Sequence, residues 1–338
     1  MNCSCPSIRG SDKLIKKTRT KPLKLLKFEV LLERILPNLT QKQLIETNYR
    51  KYLAGFRGEL TLDYFLSELP QDDYHIFHDL RIPRYDNNQL YFQLDAFILH
   101  PRFCILIEVK NLIGNLYFDH QYDQIVRTRE GIDETFPDPV NQVEIQKKHL
   151  SNWLIKHKTP LIPIHTLVVI TNPKSYIRIS PKYGKNARKI IRGRTLSNKI
   201  KEIEKLEAEV ILQKREIKKI SSLLLKEHTP LNPDILKLFN IHRDEILTGA
   251  FCPNCTQVAL IRIKRNWLCT SCSKTFINAH KKAILDYALL FSPVVKNKDL
   301  RTFLHMESQS SLKKLLYSMN LKPNGSRKAA TYIIPLPK

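Results

Sequence analysis

The chain has 338 residues, 42% of them hydrophobic, enough for two or three domains that each bury a core. No 18-residue apolar run exists to span a membrane, and the N-terminus "MNCSCPSIRGSDKLIKKTRTK" holds no apolar stretch of a secretory signal. Fifty-six Lys+Arg against 32 Asp+Glu leave a net charge of +24, which points to a polyanionic partner.

Residues 1–50 read as a basic lead-in, loose over 1–27, then a helical pattern through "FEVLLERILP" that ends at Pro37. A second helix is expected from about Gly55, "GFRGELTLDYFLSELP", with Leu60, Tyr64, Phe65 and Leu69 on one stripe. Strand-like runs follow at "YHIFHDLRIP", "QLYFQLDAFILH", "FCILIEVKN" and "GNLYFD". "PVNQVEIQKKHLSNWLIKH" is helical, "IHTLVVITN" a fully buried strand and "ARKIIRG" another. This order predicts an α/β domain with a mixed sheet over 51–195. A long amphipathic helix is expected within 196–228, with Thr195 as its N-cap. Its Leu196, Ile203, Leu206, Val210, Ile217, Ile220 and Leu224 fall at heptad a/d positions, interrupted by Gln213. Such a stripe either docks on its own domain or forms a coiled-coil seam, as in a homodimer through 196–225.

Within the α/β segment, "CILIEVKNLIG" sets Glu108 and Lys110 on one face of an apolar strand. Buried charges are costly unless paired or bound to metal, so an ion pair on an edge strand is the simplest account. Asp95, in "QLDAFIL", is a second carboxylate out of place. A hairpin about "HPRF" that pairs His100 with Phe103 brings Asp95 opposite Glu108. Pro-Arg is a poor tight-turn pair, but any symmetric longer loop keeps that register. Two carboxylates so close repel unless one is protonated or a cation lies between them. A hard cation with oxygen ligands, Mg²⁺ or Mn²⁺, resolves the conflict. Glu59, in "RGEL", and Gln142, in the first turn of "VNQVEIQKK", would each be ordinary surface residues if taken alone.

Charge along the chain is uneven. Residues 51–179 carry 14 basic and 16 acidic side chains, whereas 1–50, 180–228 and 229–338 are net +7, +8 and +11. A nucleic acid held by basic flanks and presented to a carboxylate-rich centre would give this pattern. Seven cysteines without a secretory signal argue for thiols and metal ligation in a cytoplasmic protein.

"GEL" at 58–60, "QLDAF" at 93–97, "LIEVKNLIG" at 106–114, "DPVNQVEIQKKHL" at 138–150 and "HTLVVIT" at 165–171 together resemble the nuclease-related domain (NERD) family of the PD-(D/E)xK nuclease-like superfamily. The resemblance covers about 50–200 and keeps motif order. It implies a restriction-endonuclease-like mixed sheet flanked by helices, with Glu59, Asp95, Glu108, Lys110 and Gln142 as a metal-dependent nuclease centre. Asp95 and Glu108 would hold Mg²⁺ or Mn²⁺, and Glu59 would bind a second ion or orient water. Asp138 stands where the family usually has Asn, with little effect expected on chemistry. The alternative is a non-catalytic nucleic-acid binder that retains the fold.

"CPNC" and "CTSC" place Cys252, Cys255, Cys269 and Cys272 as two CxxC knuckles, read as a structural Zn²⁺ ribbon over 229–278. Arg262, Lys264 and Arg265 with Trp267 suggest charge and a stacking ring for nucleic acid. Cys104 reads as core, and Cys3 and Cys5 have no assignment. Over 279–338 the pattern is a helical, winged-helix-like module, in which Lys313, Lys314, Arg327 and Lys328 would contact DNA and Ser308 would cap a helix.

Overall fold

The computed structural model describes residues 14–70, 73–87, 89–255, 258–325 and 330–337. The chain opens with strand β1 (Ile15–Lys17) and helices α1 (Leu23–Arg34) and α2 (Lys42–Ser67). It forms two units, one of Met1–Thr20 and Leu53–Pro230, the other of Lys21–Tyr52 and Leu231–Lys338. The described part of the segment expected to be loose is ordered: α1 buries Leu23, Phe28 and Leu31 in the second unit's core. The helix expected from Gly55 begins at Lys42, and its buried stripe is Leu62 and Leu66, one turn apart, not Leu60 and Tyr64, which are exposed. The reason lies in the neighbours. Leu62 and Leu66 face the sheet, and the polar Glu59 and Asp63 beside them have partners of their own.

In the first unit, β2 (His75–Pro83), β3 (Tyr91–Leu99) and β4 (Cys104–Lys110) make an antiparallel meander. Strands β5 (Gly114–Asp119), β6 (Gln124–Arg129) and β7 (Ile132–Pro137) follow, then α3 (Pro139–Lys156). The segment continues with β8 (Ile164–Ile170), β9 (Ser175–Ile179) and β10 (Ile190–Arg192). One mixed sheet has the order β1-β2-β3-β4-β8-β10, and a second has β7-β6-β5-β9. β8 runs parallel to β4, a connection that requires a crossover, and α3 supplies it. The hairpin β6–β7 was not legible in sequence, because most of β7 is exposed and its residues alternate weakly.

Period-two alternation gives the large sheet two apolar faces. Ile98, Ile105, Ile107, Leu167 and Val169 face α2, and Phe97, Leu99, Leu106, Val168 and Ile170 pack with Val143, Leu150 and Trp153 of α3. The β3–β4 register is the expected one, Leu99 opposite Cys104 and Ala96 opposite Ile107. The turn is tight: the His100 N–H donates to the Phe103 carbonyl at 2.9 Å, and their rings stack 4.4 Å apart. Pro101 takes the second turn position, where a fixed φ is favourable.

The long helix expected over 196–225 is two helices, α4 (Leu196–Leu206) and α5 (Lys214–Glu227). Between them the N–H groups of Ile211 and Leu212 donate to the Pro101 carbonyl at 3.0 and 2.8 Å, pinning the crossing strand of chain to the β3–β4 turn. α4 buries Leu196, Ile200 and Ile203 on the α2 face, while α5 buries Ile217, Ile220 and Leu224 on the α3 face. Most of the stripe is thus covered on opposite sides of one sheet, and only Leu206 and Val210 of it are exposed, which leaves no continuous seam for a coiled-coil partner.

The second unit adds α6 (Ile235–Leu238), then β11 (Ile261–Ile263), β12 (Asn266–Leu268) and β13 (Thr275–Phe276) as a small antiparallel sheet. After it come α7 (Ala279–Leu290), β14 (Val294–Lys296), α8 (Asn297–Leu304), α9 (Gln309–Ser318), β15 (Pro323–Asn324) and β16 (Thr331–Ile333). Their sheet order is β14-β16-β15, a winged-helix-like arrangement with α9 as the second helix of a helix–turn–helix. Ser308 caps α9, accepting from the Ser311 N–H at 3.2 Å. Arg34, 1% exposed, joins α1 to α7 by pairing with Asp286 at 2.8 Å and donating to the carbonyls of Leu247 and Gly249. No described helix is long and apolar enough to cross a membrane.

Candidate functional site

Glu108 and Lys110 lie on the α3 side of β4, continuing the face begun by Cys104 and Leu106. Glu108 is 2% exposed. Its Oε1 accepts from Lys110 Nζ at 2.6 Å and its Oε2 from Gln146 Nε2 at 3.2 Å. Lys110 also donates to Gln142 Oε1 at 3.1 Å. Gln142 and Gln146 are four apart and so share one face of α3. That helix is set by its N-cap: Asp138 accepts from the Val140 N–H at 2.8 Å, Pro139 occupies the first turn, and Tyr183 donates to the other carboxylate oxygen at 2.7 Å.

Asp95 lies one position beyond the last β3–β4 ladder pair, on the register that leads to Glu108. Its carboxylate accepts from the Val109 N–H at 2.8 Å, so the side chain takes over a bond that a strand carbonyl would otherwise make. Opposite it on β2, Asp79 has a left-handed φ of 50°, and the β2–β3 ladder skips that pair. Before the break Ile76 and Ile98 face α2; after it Leu80 and Leu94 face α3. Glu59 and Asp63, four apart, share a face of α2. Arg19, whose side chain is 2% exposed, pairs with both, reaching Asp63 Oδ2 from Nε at 2.9 Å. It also donates to the Asp95 carbonyl at 2.8 Å. His78 Nδ1 is 3.0 Å from Asp63.

The electrostatics are those of crowded acids. Burial, then the charges of Glu108 and Glu59, hold the Asp95 carboxyl well above its ordinary range. Burial, opposed by Arg19 and reinforced by Asp79, Asp63 and Glu108, raises Glu59 to about 7. Asp63 is also partly desolvated, but hydrogen bonds from His78 and Arg19 outweigh this and lower it. Four carboxylates, Glu59, Asp63, Asp95 and Glu108, face two fixed cations, Arg19 and Lys110. The deficit is two positive charges among oxygen donors, the complement of a hard divalent cation such as Mg²⁺ or Mn²⁺.

The five residues expected from the sequence, Glu59, Asp95, Glu108, Lys110 and Gln142, come together in the fold. The sequence pattern did not single out Gln146, Arg19, Asp63 or His78. The spacing of four from Gln142 to Gln146 and from Glu59 to Asp63 is a readable signal; Arg19 and His78 offer none. Residues 54–171 match the family model of the nuclease-related domain. No curated protein and no solved structure gives a significant match. The matched segment runs from within α2 to the residue after β8 and contains all five of the residues expected from the sequence. Arg19 lies outside it.

Beyond the nuclease-related domain, the Sγ atoms of Cys252, Cys255, Cys269 and Cys272 all lie within 4.8 Å of one another. The Cys252–Cys272 and Cys255–Cys269 separations are both 3.8 Å. A tetrahedron of thiolates about 2.3 Å from a central zinc has edges of roughly 3.8 Å, so the cluster fits zinc. The β11–β12 hairpin fills the gap between the knuckles. Backbone N–H groups of Cys272, then Ser271, working against burial, lower the Cys269 thiol to about 7, while side-chain hydrogen bonding with Cys272 raises Cys255 to about 12, so the four thiols share their protons unevenly without a metal. Trp267 is no stacking ring for a nucleic acid: it is fully buried, donates to His280 Nδ1 at 3.3 Å and is covered by Arg262 at 5.0 Å. The ring's apolar area is worth more in this small core than in solvent. Lys264 and Arg265 are exposed, as are Ser310, Ser311, Lys313, Lys314 and Tyr317 along α9. Arg327 and Lys328, like Cys3 and Cys5, lie outside the described residues. Cys104 is buried in the core.

Proposed function

We propose that this chain is a cytoplasmic, Mg²⁺- or Mn²⁺-dependent nuclease that hydrolyses phosphodiester bonds, acting on DNA in preference to RNA. The observation that carries the reading is the juxtaposition of half-buried Asp95, which accepts from the Val109 N–H, with buried Glu108 at the facing position of the β3–β4 register, beside Lys110. Asp95 and Glu108 would hold the ion, which when bound polarises a phosphate and lowers the pKa of water. Gln146 fixes one oxygen of Glu108 and Gln142 holds Lys110, whose half-buried ammonium is set to meet negative charge on a phosphate. The preference for DNA rests on the winged-helix order and on α9. From Ser308 to the C-terminus the sequence has six Lys/Arg and no acid. Zinc in the four-cysteine ribbon is proposed as structural, because all four ligand positions are filled by protein.

A magnesium-dependent cleavage assay on duplex DNA, single-stranded DNA and RNA tests the reading. Asp95→Asn and Glu108→Gln should each lower cleavage by about 10²-fold or more, with nucleic-acid binding intact or tighter. The rival reading, a non-catalytic binder, draws on one observation: Lys110 and Gln146 already satisfy both oxygens of Glu108. Under it Mg²⁺ leaves the wild-type melting temperature unchanged. Glu108→Gln then strands Lys110 and destabilises the fold by a few kcal/mol.

A further inference from the structure

We infer that the Arg19 guanidinium is a built-in second cation of this centre. The acid cluster then takes a single divalent ion, at Asp95 and Glu108, and Glu59 is a positioning residue and not a ligand. The inference rests on the nuclease reading above and deepens it.

The geometry is specific. Arg19 Nε donates to Asp63 at 2.9 Å, Nη1 pairs with Glu59, and Nη2 donates to Asp63 at 3.1 Å and to the Asp95 carbonyl at 2.8 Å. A guanidinium is permanently charged and presents its donors in a rigid fork, so this set of acceptors fixes it in one pose. With its side chain only 2% exposed, the charge has exchanged water for these carboxylates. Breaking the set would leave a buried charge unpaired. β1 holds the segment in place: Ile15 pairs with Ile76, and Lys17 Nζ donates to the His78 carbonyl at 2.8 Å. Glu59 Oε2 is thereby committed to a fixed positive charge, beside which a second divalent ion would be repelled. The same guanidinium tethers the backbone of Asp95, the residue whose carboxylate must point at Val109. Arg19 lies 35 residues before the segment matched by the nuclease-related domain, so the centre is completed from outside that domain.

The test counts Mn²⁺ ions by electron paramagnetic resonance and titration calorimetry on the full-length, zinc-loaded chain. Wild type, Glu59→Gln and Arg19→Lys should each bind one Mn²⁺, and the wild-type ion should be lost in Glu108→Gln. Arg19→Gln, which frees Glu59 and leaves Asp63 only its His78 partner without replacing the charge, should bind two. A wild type that takes two ions, one of them lost in Glu59→Gln, overturns the proposal and leaves the nuclease reading standing. A folded Arg19→Gln chain that still takes one ion also overturns it. If Arg19→Gln fails to fold, the wild-type and Glu59→Gln counts decide alone. No ion in the wild type removes the nuclease reading, and this proposal with it.

Discussion

Glu59 is the residue whose environment is most readily read out by pH. Its folded value of about 7 stands above the ordinary 4.5, so the protonated acid favours the fold. That contribution is complete below about pH 4.5 and is lost as pH rises through 7. On going from pH 5 to pH 8, metal-free wild type should lose stability relative to Glu59→Gln by a margin of up to about 3 kcal/mol, a comparison that cancels the opposing effect of His100, His228 and His280, each lowered to about 4 by burial. Saturating Mn²⁺ should shrink the margin, because the cation takes over part of the neutralisation that the proton provides. Calorimetric melting at both pH values, with and without Mn²⁺, measures it. A wild type that keeps pace with Glu59→Gln across that range would show that Glu59 is not held among crowded acids.

At the scale of elements, α3 is the lever of the site, because one helix carries both Gln142 and Gln146. Its N-cap makes two contacts, with the Val140 N–H and the Tyr183 hydroxyl. Asp138→Ala removes both and should cost about 1–2 kcal/mol in a urea titration. Asp138→Asn keeps an oxygen acceptor for Val140 and should cost less. If the site depends on α3 as drawn, Asp138→Ala should also slow cleavage more than Asp138→Asn does. The break between α4 and α5 belongs to this scale as well. A heptad pattern specifies a stripe but not what covers it, and here two stretches of the same stripe are covered by opposite faces of one sheet.

For the whole molecule, the proposed function divides chemistry from affinity between the two units. Cys252→Ser or Cys269→Ser should lower zinc below the one ion per chain expected of wild type, as measured by elemental analysis of purified protein. Wild-type zinc in both variants would remove the ribbon assignment. The basic charge of α9 is best tested by point change and not by deleting 229–338, since that deletion would uncover Leu23, Phe28 and Leu31 of α1. Lys313→Ala with Lys314→Ala should weaken duplex binding and flatten the log–log salt dependence by up to about 2. Cleavage at saturating DNA should be unchanged. An unaltered slope would rule α9 out as a phosphate-contacting surface.

The sequence by itself determined what depends on short-range pattern. Alternation placed Glu108 and Lys110 on one face of a buried strand, and a short hairpin carried the register as far as Ala96 opposite Ile107. Two CxxC knuckles placed four thiols within ligand distance of one another. Each of these follows from covalent geometry and a period of two or four residues. Tertiary structure alone decided which distant groups meet. Arg19 enters the acid cluster from 40 residues before Glu59 because β1 pairs with β2. Trp267 turns inward because the small ribbon has few other apolar groups to bury, and no local pattern distinguishes that from exposure. The partner of the 196–225 stripe was equally undetermined, because amphipathicity states that a face must be covered and packing settles by what.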